Sequence, residues 1–133
     1  MPALDTNVLV RYLVQDDAVQ VSAARRFIRK CVAEGQALFI PVTVSLELEW
    51  VLRSNFGFDK DAVVQTLSDL LSSAELSFES ERALEVALLL YKDGSADYSD
   101  CLHIALALEA GEPPLWTFDK VASKVDGARL LSV

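Results

Sequence analysis

Residues 3–10 read ALDTNVLV, an apolar run interrupted by one acid, Asp5, with Thr6 and Asn7 directly after it. A carboxylate is kept out of such a run unless something compensates it. The stretch reads as a strand over 2–5 followed by a short helix to about Val14. Asp5 therefore falls where the strand ends, and what it faces bears on both fold and chemistry.

The same alternation continues outward from this point. Residues 18–34 are predicted helical, with Val21, Ala24, Ile28, Cys31 and Val32 on one face and Gly35 as the stop. ALFIP (37–41) reads as a buried strand, and a helix follows from about Thr43 to Arg53. FGFDKD breaks the chain before a helix over 60–73. ELSF (75–78) is a strand, and 80–92 a helix with Ala83, Val86, Ala87 and Leu90 inward. KDGSAD is a loop, 98–110 a helix ended by Gly111, PLWTF (114–118) a strand and ARLLSV (128–133) a last short strand. Four or five apolar strands separated by helices imply an α/β class with a parallel sheet covered on both faces. Sites in such sheets form beyond the carboxyl ends of the strands. Asp5 and Asp119 each lie just past a predicted strand, so both point to that edge.

A length of 133 residues suggests one domain spanning 1–133, long enough to bury about two-thirds of the unfolded surface. With 52% hydrophobic and 24% charged residues the chain reads as globular, not disordered. The sequence has no membrane-length apolar run and no signal-peptide pattern at its start, so a cytoplasmic location is expected, without a membrane partner. Cys31 and Cys101 sit in apolar, helix-like settings without a CxxC pattern and read as reduced core thiols. The net charge of −8 is lopsided. Residues 1–60 balance, with seven basic and seven acidic residues, whereas 61–133 hold five basic and thirteen acidic ones and so carry the whole excess. This argues against bulk attraction to nucleic acid and allows a cation site or a basic partner protein.

Acids without a basic neighbour one helical turn away mark a candidate site. Glu49 has Arg53 at i+4 and reads as an exposed, paired residue. Glu47 has only Thr43, Val44, Trp50 and Val51 at those positions. Asp97 and Asp100 share a face at a helix start, where acids favour the helix dipole but repel each other. Each residue also has a purely structural reading. Asp5 can cap the helix near Thr6, Asp119 the turn in KVASK, and Asp97 the helix it precedes; Glu47 can be a flank residue and His103 a packed one. The cluster of Arg25, Arg26, Arg29 and Lys30 reads as a solvated helix face, and Phe56 and Phe58 as core residues. Taken jointly, Asp5, Glu47, Asp100 and Asp119 can converge at one sheet edge. Unpaired carboxylates there destabilise one another unless protonated or metal-bound. Hard oxygen ligands of this kind suit Mg²⁺ or Mn²⁺ and phosphodiester hydrolysis, with the metal offsetting the acidic pocket for an anionic substrate.

LDTNVLVRYL at the start, VSLELEWVL in the third predicted helix, DYSDCLHIALA in the sixth and WTFDK after the strand at 114–118 together carry a family resemblance. In that order, and over essentially the whole chain, the sequence resembles the PIN-domain proteins, in particular the toxin ribonucleases of the VapC type. The resemblance implies a three-layer α/β/α sandwich with a central parallel sheet of four to five strands. Counted along the chain, the implied strand order is 3-2-1-4-5. It places an acidic, metal-binding catalytic set at Asp5, Glu47, Asp100 and Asp119, and it selects Glu47 over Glu49. Asp97 would lie behind that set or share the metal. Thr6 and Asn7 would orient Asp5 by hydrogen bonds, and Thr117 would act likewise near Asp119. The implied protein is an Mg²⁺- or Mn²⁺-dependent endoribonuclease acting on RNA. It would be homodimeric and neutralised by a VapB-like antitoxin, as the toxin of a type II toxin–antitoxin pair.

Competing readings are weaker on the residues. A catalytically inactive PIN module that binds antitoxin or RNA would not need all four acids. A haloacid-dehalogenase-like phosphatase wants a second Asp two positions after the first, where Asn7 stands. A receiver-type phosphoacceptor lacks its early acid pair, although Lys120 adjoins Asp119. A structural oligomerisation protein leaves four unpaired acids unexplained.

Overall fold

A computed structural model of the chain describes every residue except Gln15 and Asp16. Its elements are α1 (Thr6–Leu13), α2 (Ala18–Ala33), β1 (Leu38–Ile40), α3 (Val42–Phe56), α4 (Lys60–Leu71), β2 (Leu76–Phe78), α5 (Glu81–Asp93), α6 (Tyr98–Glu109), β3 (Leu115–Thr117) and β4 (Ala128–Leu130). A short 3₁₀ turn, Ala122–Lys124, links the last two strands. Local signals set most boundaries. Asp17 and Asp59 cap α2 and α4 by accepting from first-turn backbone N–H groups. Gly57, with φ of 68°, ends α3 in a left-handed turn that a side chain would resist.

The strands are parallel, as an α/β chain requires. β1 pairs with β2, Leu38 opposite Leu76, and β3 pairs with β4, Leu115 opposite Ala128. The strand expected over 2–5 is reduced to a single parallel bridge from Ala3 to Phe39. Two hydrogen bonds flank it, Leu4 N–H to Phe39 O at 3.0 Å and Phe39 N–H to Pro2 O at 2.8 Å. The order from the Ala3 segment through β1 to β2, and the β3–β4 pair, match the expected neighbours. Among the described residues no pairing joins the Ala3 segment to β3, so the sheet is present as two short ladders. The reason lies in the first residues: Pro2 has no N–H to donate, and Asp5 is already a helix cap, which leaves few residues to extend a strand.

A hydrophobic cluster draws on all six helices and on β1 and β2, including Leu9, Ile28, Leu38, Leu48, Val63, Leu84 and Cys101. Both cysteines are free and buried, as expected of core thiols. Phe56 and Phe58 pack against this core. Two expected inward positions are exposed instead, Val32 and Val86. Leu84 and Leu88 take the buried positions on α5, because that helix packs against both α4 and α6 and its apolar arc is turned toward the pair.

Candidate active site

The candidate acids ride on elements that touch in series: α1 packs on α3, α3 on α6, and α6 on β3. Asp5 caps α1, Glu47 lies in the second turn of α3, Asp100 in the first turn of α6, and Asp119 just beyond β3. Asp100 lies near enough to Asp119 and Asp97 to feel their charge, whereas Glu47 lines a groove with Asp97 and Asp5 lines a separate pocket beside α2.

Asp5 and Asp119 are both exposed and both work as caps. Asp5 Oδ1 accepts from the Val8 N–H at 3.0 Å. Asp119 Oδ1 accepts from the N–H groups of Val121 at 2.8 Å and Ala122 at 3.0 Å. In each residue Oδ1 is engaged by backbone and Oδ2 remains for a ligand, so capping and ligation are compatible. Thr117 Oγ1 accepts from the Asp119 N–H at 3.0 Å, which fixes the turn carrying Asp119, close to the role expected of it. Among the described residues, neither Thr6 nor Asn7 makes the hydrogen bond expected to Asp5. The first-turn donors of α1 have no partner within the helix, and Val8 supplies one of them to Asp5. Asn7 is exposed, and Thr6 turns inward, where its Oγ1 is buried without a partner.

Asp100 is the acid most affected by its surroundings. Burial raises its carboxyl pKa first, repulsion from Asp119 and Asp97 raises it further, and the exposed His103 lowers it. Asp97 and Asp119 thus lie close enough to oppose the ionisation of Asp100. Asp97 occupies the N-cap position of α6, but its side chain makes no cap hydrogen bond.

Glu47 and Asp97 line one groove of about 650 Å³, together with Thr43, Leu46, Glu49, Trp50, Arg53 and Ser99. Here the expectation for Glu49 is half corrected. It does pair with Arg53, with Nε to Oε2 at 2.9 Å, but it is buried rather than exposed. The Tyr91 hydroxyl also donates to Glu49 Oε2, at 3.4 Å. The Glu49 carboxylate is the largest influence holding the Arg53 guanidinium in its charged form, and Asp97 adds to it. Residue spacing found the pair; it missed that Arg53 and Trp50 border the same groove as Glu47, because that depends on α6 lying against α3.

As the side chains stand, no three His, Cys, Asp or Glu residues among the described residues surround one point closely enough to hold a metal. The donor chemistry nevertheless fits a hard divalent cation. Every candidate ligand is a carboxylate, and Asp100 is repelled by both Asp119 and Asp97. The buried, unpartnered hydroxyls of Thr6 and Ser45 lie next to Asp5 and two residues before Glu47. Such groups are costly to bury, and their presence here marks a place where folding has not been optimised for stability.

Comparison with known proteins gives two findings. A family model described as "PIN domain" matches residues 3–128. A "VapC ribonuclease" of Aquifex aeolicus (strain VF5) is 23% identical over 125 residues, covering 94% of this chain and 92% of that protein.

Proposed function

The chain belongs to the PIN-domain family, and from that premise we propose that it is a metal-dependent endoribonuclease, the toxin of a type II toxin–antitoxin pair. The observation that carries the reading is Asp100, whose carboxyl pKa is raised by burial and by two neighbouring acids, with the exposed His103 opposing the shift. Mutual repulsion of this kind is relieved by a bound cation. The similarity to a ribonuclease over nearly the full length of both chains supports the same activity.

Asp5, Glu47, Asp100 and Asp119 would hold Mg²⁺ or Mn²⁺. When bound, the ion supplies an activated water and offsets charge building on the phosphate. Asp5 and Asp119 are held in place by the backbone donors of the turns they cap, and Thr117 stiffens the second of those turns. Asp97 borders the same groove as Glu47 and adds negative potential near Asp100. Glu47 borders the groove that would receive the RNA strand. An antitoxin of the VapB type would compete for this surface by pairing a basic side chain with the carboxylates. The active form would be a homodimer, and the protein would work in the cytoplasm.

RNA cleavage by purified protein tests this. We expect cleavage with Mg²⁺ or Mn²⁺ and none in EDTA, and a loss of about 100-fold or more in Asp5→Asn. Cleavage that is indifferent to EDTA and to the substitution would exclude the metal mechanism. RNA binding without cleavage by antitoxin-free protein would favour the inactive-module reading.

A further inference from the structure

The acidic half of the chain is not uniformly acidic. Three of the five basic residues within 61–133, Lys120, Lys124 and Arg129, fall inside ten positions. Among the described residues none of the three takes part in an ion pair. The same stretch of chain carries two exposed aromatic side chains, Trp116 at 53% and Phe118 at 66% exposure. Large aromatic rings are usually covered, so two of them in the open on neighbouring positions are unusual.

The strand explains their arrangement. Trp116 in β3 and Phe118 just beyond its end are both exposed, while Thr117 between them is half-buried and steadies Asp119. The β3–β4 register sets Arg129 opposite Trp116. The Arg129 guanidinium lies over the indole at 5.4 Å from its centroid. That contact orients the ring and places a cation beside it. Phe118 directly precedes Asp119, so the aromatic face starts at the candidate site itself.

Exposed aromatic rings beside unneutralised cations are how proteins hold single-stranded nucleic acid: bases stack on the rings while cations follow the phosphates. We propose that Trp116 and Phe118, with Arg129, Lys120 and Lys124, form a stacking platform that positions single-stranded RNA against Asp119. The proposal rests on the ribonuclease reading above and adds to it the residues that hold the RNA. It also accounts for how so acidic a chain retains an anion. Phosphates meet these cations, while the neighbouring acids of the candidate site would be offset by a bound metal ion.

Binding of a labelled single-stranded oligoribonucleotide, measured by fluorescence anisotropy in EDTA, reads the platform without cleavage. Trp116→Ala should weaken binding roughly 5- to 150-fold. Trp116→Phe, which keeps a ring, should restore most of it. A duplex of the same sequence should bind less well than the single strand, and Lys120→Gln with Lys124→Gln should flatten the salt dependence. With metal present, Trp116→Ala should raise KM and leave kcat largely unchanged. If Trp116→Ala folds, cleaves RNA and keeps wild-type Kd and KM, the platform is wrong while the ribonuclease reading stands. If that variant instead breaks up a dimer with KM unchanged, the face is a contact with a second copy and the proposal is overturned. If the wild-type chain neither binds nor cleaves RNA, both readings fall together.

Discussion

Thr6 and Ser45 are buried hydroxyls with no hydrogen-bond partner, and each stands near a candidate ligand in the sequence. An unsatisfied buried polar group costs about 1–3 kcal/mol, whereas replacing it with an apolar group of the same shape recovers that cost. Thr6→Val keeps the branched shape and removes the hydroxyl. We expect it to raise stability by about 1 kcal/mol in denaturant unfolding, with Ser45→Ala neutral or slightly stabilising. If the Thr6 hydroxyl serves the site, cleavage falls in the same variant that gains stability. A variant that is both less stable and fully active would show that the hydroxyl has a structural partner and no part in the site.

Glu49 and Arg53 show what an element contributes beyond its sequence. Within α3 the pair is an ordinary i, i+4 contact, but its carboxylate end is buried and shared with Tyr91 of α5. Removing Arg53 leaves that carboxylate with only the long contact from Tyr91. Because the guanidinium is half exposed, solvent tempers the loss, and Arg53→Met should cost about 1–2 kcal/mol. Glu49→Gln in the same chain should return part of that cost, and a double-mutant cycle measures the coupling. Additive single costs would mean that the two side chains do not interact. The pair also shows where sequence reasoning stops. The i+4 spacing disclosed the bond, while the burial depends on a helix packed from far along the chain. Helix limits were readable throughout, since caps such as Asp59 and stops such as Gly57 act locally. The phase of α5 was not, because Leu84 and Leu88 face two neighbouring helices at once. The four candidate acids are selected by their order, by the lack of cations near them and, for Glu47, by the family resemblance. That Val8, rather than Thr6 or Asn7, holds Asp5 follows from cap geometry, which residue type alone does not specify.

At the scale of the whole molecule, the site acids set stability against function. Burial and the charges of Asp119 and Asp97 raise the Asp100 pKa. The folded chain therefore keeps that proton to higher pH than the unfolded chain does. The resulting contribution to stability is present below the unfolded carboxylate pKa and is lost as pH rises through the folded value. Asp100→Asn removes the charge and with it the loss. In EDTA the variant should melt above wild type at pH 7, and the gap should close as pH falls below about 4. Divalent metal reverses the order. Ligand that binds only the folded state stabilises it by about 2.7 kcal/mol at a hundredfold excess over Kd. Wild type should gain that increment with Mg²⁺ or Mn²⁺, while Asp100→Asn, short of one carboxylate, should gain little. Protons compete with the metal for Asp100, so the wild-type gain should itself grow with pH. Thermal melts of both proteins, with EDTA and with metal at two pH values, give a crossing of the two stabilities if Asp100 binds the ion. Equal metal shifts in both proteins, or an Asp100→Asn chain less stable than wild type in EDTA at pH 7, would remove Asp100 from the metal site.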